Sequence, residues 1–215
     1  MKIIGYDIET VPQENLSKSQ AEFLETKLIA ARSKATESYS EEETRSKIMG
    51  TSPYLGKIVC ISLGEVTGSK IQAESYTGDE KELLRNFWNM VGQIPQATTW
   101  VSFNGLKFDV NFILMRSLHH KLVPTNRSFV NTIRYRKHPH FDVMQWMSDW
   151  GYPSPNLDIA CDLCGVETSK AGAIKAKDVA KAFKDGRIEE IAEYCEQDVR
   201  ATIEVYLQVK NYVRD

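Results

Sequence analysis

The stretch "KIVCISLGEVTGSKIQAESY", Lys57 to Tyr76, constrains the fold more than any other part of the chain. Two β-rich runs, 57–63 and 70–76, flank "GEVTGS", whose two glycines predict a hairpin or short meander. A β-rich run at the start, "KIIGYDI" from Lys2, and another, "TTWVSF" from Thr98, add two more strands. Between the hairpin and Thr98, "TGDEKELLRNFWNMVG" predicts a helix. Asp79 and Glu82 have capping-box spacing, Leu83, Phe87 and Val91 form an apolar stripe, and Gly92 stops the run. From Asp109 onward the pattern is mainly helical, with turns at Pro124, at "YPSP" (Tyr152 to Pro155) and at Gly186, and a last long helix over 188–209. Strands first, then strand–helix alternation, then helices, predict a mixed α/β layer fold.

Residues 13–52 differ in character. The run from Gln13 to Ile48 is charged and lacks proline and glycine, and Leu24, Leu28 and Ala31 recur at helical spacing. It predicts a helical insertion after the first strand, with a flexible acidic stretch near Glu41–Glu43. The 215 residues are expected to form a single domain that contains this insertion.

The formal net charge of −2 argues against binding long duplexes by charge alone. It leaves room for a site where a few acids hold cations, because a bound ion reverses the local field. The four cysteines are scattered, which suits a reducing cytosol, and no apolar run approaches membrane-spanning length. The start of the chain, "MKIIGYDIET", lacks a signal-peptide layout. The expected location is therefore cytoplasmic.

Three acid-bearing motifs stand out. In "YDIET", Asp7 and Glu9 are two apart and share one face of a strand, where they repel unless a cation lies between them. In "VSFNGLKFD", Asn104-Gly105 supplies a sharp turn, Phe108 an apolar anchor, and Asp109 stands in the first turn of a helix, where negative charge is favoured. In "YCEQD", Tyr194 and Asp198 are one helical turn apart on one face. Each alone has a plain structural explanation: a fraying strand end, a capping acid, an aromatic in the core with an acid on its rim.

Taken in order, the three motifs resemble the DEDD superfamily of 3'-5' exonucleases on an RNase H-like fold. Position 193 is glutamate and tyrosine stands at 194, which matches the DEDDy subgroup. Within it, "SPYLGKIVCISLG", "HFDVM" and "GRIEEIAEYCEQDVRATIEVY" are similar to the predicted exonucleases related to the proofreading domain of B-family DNA polymerases. This resemblance implies an RNase H-like mixed sheet flanked by helices. It implies two Mg²⁺ ions, for which Mn²⁺ should substitute, held by Asp7, Glu9, Asp109 and Asp198. Asp7 would bridge them, Glu9 and Asp198 would complete the coordination of the first ion, and Asp109 would hold the second. Tyr194 would orient the attacking water. The backbone from Ile8 to Thr10 would contact the terminal nucleotide, with Phe103, Asn104 and Phe108 around its base, although Phe108 also fits a plain core role. The implied partner is nucleic acid with a free 3' end, single-stranded DNA first. An exoribonuclease on the same site, or a catalytically idle binding module, are the alternatives.

Other features carry less. "CDLC" (Cys161 to Cys164) has zinc-like spacing, with His138 and His140 as conceivable partners, but a buried apolar helix face explains it better. The histidines are expected in loops or on the surface. "RYRKHPH" (Arg134 to His140) could hold backbone phosphates, and Lys170, Lys175 and Lys177 form a weaker basic set. Trp88, Trp100 and Trp146 are expected in the core, with Trp150 the most open to a stacking role, and Asp142 is expected to cap a helix.

Overall fold

In the computed structural model, which describes residues 2–33, 40–151, 153–167 and 174–213, the hairpin is the outer edge of a five-stranded mixed sheet. The strands are β1 (Lys2–Pro12), β2 (Gly56–Thr67), β3 (Lys70–Thr77), β4 (Thr98–Ser102) and β5 (His140–Asp142), in the order β3-β2-β1-β4-β5. β1 pairs antiparallel with β2 and parallel with β4, and β4 pairs parallel with β5. The hairpin turn is shorter than "GEVTGS" predicts. Thr67 pairs with Lys70, so only Gly68 and Ser69 form the turn, with Gly68 at φ +63. Gly64 lies inside β2, where its missing side chain serves helix packing.

The helices are α1 (Lys18–Arg32), α2 (Glu41–Gly50), α3 (Glu80–Gly92), α4 (Asp109–His119), α5 (Val143–Met147), α6 (Leu157–Cys164), α7 (Val179–Lys184) and α8 (Ile188–Val209). Alternation along β1 sends Ile4, Tyr6 and Ile8 into a core with Leu83, Phe87 and Val91 of α3 and Phe112 of α4. Full burial of each such side chain stabilises by about 1.5–3 kcal/mol. The other face is covered mainly by α8. Here Gly5 of β1 and Gly64 of β2 are register partners. A Cβ on either would lie 2.6 Å from a side chain of α8, from Ile203 at Gly5 and from Val199 at Gly64. Paired glycines thus let α8 lie close on the sheet. Arg200 of the same helix donates to the carbonyls of Ile71 (2.6 Å) and Ala73 (3.2 Å) in the edge strand β3.

Residues between β1 and β2 are helical as expected, with Leu24 and Leu28 buried against Met49 and Leu55. The acidic stretch differs from expectation. Glu41–Glu43 form the first turn of α2, capped by Ser40, whose hydroxyl accepts from Glu43 N while Glu43 accepts from Ser40 N. Negative charge there is favoured by the exposed amides of a helix start. At α3, Asp79 accepts from the amides of Lys81 and Glu82, but Glu82 pairs with Arg85 instead of closing the box. β5 escapes sequence reading because it has only three residues. Among the described residues, no helix is long and apolar enough to cross a membrane.

Candidate active site

The three acid motifs meet past the carboxyl end of β4, beside the part of β1 that extends beyond its pairing with β4. Asp7 and Glu9 lie half-buried on the α8 side of β1. The β1–β2 register slips between Glu9↔Cys60 and Thr10↔Ile58, leaving Val59 as a bulge beside Glu9. Bulges bend a strand and re-aim its side chains, here at the acid pair.

β4 pairs with β1 only as far as Gly5. The chain then turns at Asn104, at φ +67, and Gly105, where a Cβ would sit 2.4 Å from Ser102 Oγ and 3.0 Å from the Tyr6 hydroxyl. Asp142 fixes this turn: its carboxylate accepts from Asn104 N (2.9 Å) and Leu106 N (3.1 Å) while also capping α5 through Gln145 N. Asp109, the buried first residue of α4, is thereby aimed at β1, and its Oδ1 accepts from Ile8 N at 3.0 Å. That amide lies past the β1–β4 ladder, so the acid takes the place of a strand partner. From above, α8 brings Tyr194, Cys195 and Asp198. Cys195 Sγ donates to Asp7 Oδ2 at 3.3 Å, and ligating atoms of Asp7, Glu9 and Cys195 lie within 4.8 Å of one another.

The electrostatics reflect this crowding. Burial, followed by the charges of Asp109, Glu9 and Asp198, pushes the Asp7 carboxyl well up, and burial and Asp198 do the same to Glu9. Burial raises Asp109 to about 7 despite its backbone hydrogen bonds. Burial, then the charges of Asp198 and Glu9, drive the Tyr194 phenol far up, which keeps it protonated beside those acids. Burial, Cys60 and Asp7 raise the Cys195 thiol, keeping it a neutral S–H donor. Carboxylates with mutually raised protonation are a donor set short of positive charge, and their all-oxygen chemistry fits hard divalent cations.

Asp7, Glu9, Asp109, Tyr194 and Asp198 are thus brought together. The flanking residues divide. The Ile8 amide is taken by Asp109, and the Thr10 hydroxyl donates to Gly50 O at 2.6 Å. Phe108 packs into the Ile4–Tyr6 core, its ring 5.4 Å from Phe112, whereas Phe103 packs across the sheet against the Val101–Phe141 cluster. Asn104 Oδ1 is buried with no hydrogen-bond partner among the described residues.

His140 contradicts its expected loop or surface position. It is buried, within 2.9 Å of the Tyr6 hydroxyl and 2.7 Å of Phe129 O, because two ring nitrogens can satisfy both groups in the core. With its ring so engaged, it is no partner for a zinc site. Cys161 and Cys164 sit on α6 within an apolar cluster and join no metal-binding group among the described residues. Trp88 and Trp100 are core residues, Trp146 packs on the second cluster, and Lys175 and Lys177 are exposed. Tyr152 and Lys170 fall outside the described residues. Sequence reading missed Cys195, although its place three residues before Asp198 put it on the same helix flank.

Residues 53–214 match the family of predicted 3'-5' exonucleases related to the exonuclease domain of PolB. The chain belongs to that family. This predicted exonuclease also shares its fold with solved proteins. The family B DNA polymerase of Pyrobaculum calidifontis aligns with 98% of this chain and 25% of its own, at TM-score 0.65 and 16% identity. E. coli exonuclease I, in its zinc-bound complex with single-stranded DNA, aligns with 98% of this chain and 40% of its own, at TM-score 0.52 and 13% identity. Exonuclease I in complex with a dT13 oligonucleotide gives 0.51 and 12%. The chain therefore spans less than half the length of each of these proteins. The mixed sheet in 3-2-1-4-5 order is the RNase H-like exonuclease fold. No curated protein matches the chain by sequence.

Proposed function

We propose that the chain, as one domain over 1–215, is a metal-dependent DEDDy 3'-5' exonuclease that releases nucleoside 5'-monophosphates from single-stranded DNA. The observation that carries this reading is the convergence of Asp7, Glu9, Asp109 and Asp198 with Tyr194 at one sheet end. Asp7, Glu9, Asp109 and Asp198 would hold two Mg²⁺ ions, with Mn²⁺ an acceptable substitute. When bound, such a pair stabilises charge on the attacking and leaving oxygens of the phosphodiester.

The chain's own groups do the rest. Burial and the neighbouring acids keep Tyr194 a neutral phenol, which suits it to orient a water and unsuits it as a base. Ile8 N anchors the Asp109 carboxylate, and the Asp142-braced turn fixes the start of α4. Phe103 and Asn104 lead into that turn and are the residues for contact with the terminal base. Affinity for single-stranded DNA is supported by the exonuclease I complexes, which share the fold.

The test is incubation with 5'-labelled single-stranded DNA, duplex DNA and RNA in Mg²⁺. A ladder shortening from the 3' end of single-stranded DNA is expected, stopped by EDTA and restored by Mg²⁺. Asp7→Ala and Asp198→Ala should abolish it, and Tyr194→Phe should slow turnover by roughly 10²–10⁴-fold while retaining metal binding. Wild-type turnover in Asp198→Ala would end the reading. Degradation of RNA alone would move the same site to an exoribonuclease.

A further inference from the structure

Two adjoining recesses lie beside the N-terminal end of α4, outside the acid cluster. One, of about 540 Å³, is lined by Leu106, Lys107, Asn111, Arg134, Tyr135 and Trp150 among others. The second, of about 290 Å³, continues past Arg136, Lys137 and Asp142. Tyr135 and Trp150 belong to both and form the ridge between them, with ring centroids 5.0 Å apart.

Three observations set this ridge apart from ordinary surface. Tyr135 is 73% exposed, an aromatic ring held out in water. Tyr135, Asp149 and Trp150 take φ of +64, +49 and +60, three of the five non-glycine residues with positive φ among those described. Such strained backbone persists where surrounding structure enforces it, and it clusters at ligand clamps. Lys107, Arg134, Arg136 and Lys137 are exposed and make no ion pair among the described residues. Of the acids facing them, Asp142 has both oxygens engaged by backbone amides, leaving Asp149 as the exposed one.

We propose that the Tyr135–Trp150 ridge, flanked by Lys107 and Arg134, carries the single-stranded DNA upstream of the nucleotide being removed. An aromatic face stacks any base, and unpaired cations follow the phosphates, the combination that binds single strands without sequence preference. Leu106 and Asn111, which bracket Asp109 in the chain, both line the recess, so a strand lying in it passes the start of the helix that carries this acid. The assignment of polarity rests on the exonuclease reading; the binding surface does not.

The experiment measures binding of fluorescent dT12 by anisotropy in EDTA, where no hydrolysis occurs. Tyr135→Ala should weaken binding roughly 5- to 150-fold. Arg134→Ala should weaken it and flatten the slope of log affinity against log salt by about 0.7. Both side chains are exposed, and unchanged circular dichroism verifies that each variant folds. Dissociation constants within about twofold of wild type for Tyr135→Ala, or an unchanged salt slope for Arg134→Ala, would overturn the proposal. So would failure of wild type to bind dT12. Wild type that binds dT12 yet releases no mononucleotide in Mg²⁺ would sink the exonuclease reading and leave the ridge standing.

Discussion

Gly5→Ala should destabilise the protein and silence it together, although the residue touches none of the acids. In an open strand, replacing glycine by alanine would stabilise by roughly 0.5–1 kcal/mol, since glycine loses more freedom on folding. Here the added Cβ would stand 2.6 Å from Ile203 Cδ1 and Cγ1 and 3.3 Å from Val199 Cγ1. Carbon atoms rest at about 3.5–4.0 Å, so the contact asks for about 1 Å of retreat. β1 is hydrogen-bonded on both sides at this point, to β2 and to β4, so α8 must give. Overpacking of this kind costs about 1–3 kcal/mol, which lowers the melting midpoint of a chain this size by roughly 2–12 °C. Val199 follows Asp198, so the retreat carries that carboxylate away from Asp7 and Glu9. A displacement of about 1 Å at a reacting centre can cost on the order of 10²-fold in rate. The assay pairs thermal melts with hydrolysis of single-stranded DNA in Gly5→Ala, Ile203→Ala and the double variant. The double variant should be more stable than the sum of the singles by about 1 kcal/mol or more, because removing the Ile203 branch vacates the space the new methyl needs. Gly5→Ala melting at or above wild type, or strict additivity, would refute the claim that the helix rests on a glycine notch.

The metal-free acid cluster should oppose folding at neutral pH. A carboxyl held at about 7 instead of its ordinary 3.8, as burial holds Asp109, binds protons in the native state that the unfolded chain has released, so stability falls as pH rises between those values. Asp109→Asn should therefore raise the melting midpoint in EDTA at pH 8, by up to roughly 4 kcal/mol of stability, while abolishing hydrolysis; a lowered midpoint would contradict this. His140 has the opposite sign. Burial lowers its imidazole to about 4, so the native state refuses a proton the unfolded chain takes, and stability drops as pH falls from about 6.5 toward 4. The acids oppose this trend, so the measure is the difference between wild type and His140→Gln in urea titrations, which should shift by roughly 3 kcal/mol against wild type across that range.

The candidate site was legible in sequence where its geometry is local. Asp7 and Glu9 share a strand face, Tyr194 and Asp198 share a helix face, and Asn104-Gly105 announces the turn that delivers Asp109. What escaped depends on distant partners. His140 looks like a loop histidine until Tyr6, 134 positions away, is placed against it. Asp142 reads as a helix cap because Gln145 is near in sequence, whereas its hold on Asn104 and Leu106 crosses the fold. Gly64 reads as a turn glycine because nothing local reveals Val199 above it. Glu41–Glu43 read as flexible because charge density outweighed the capping serine beside them.

Arg200 has a consequence beyond holding α8 in place. A five-stranded open sheet has two free margins, and an uncovered margin invites a neighbouring copy to add its own strand. By gripping Ile71 O and Ala73 O, the guanidinium occupies acceptors on the outermost strand, while the opposite margin is only three residues long and follows a proline. The helix that contributes Tyr194 and Asp198 thus also occupies two acceptors of the outermost strand that an added strand would need.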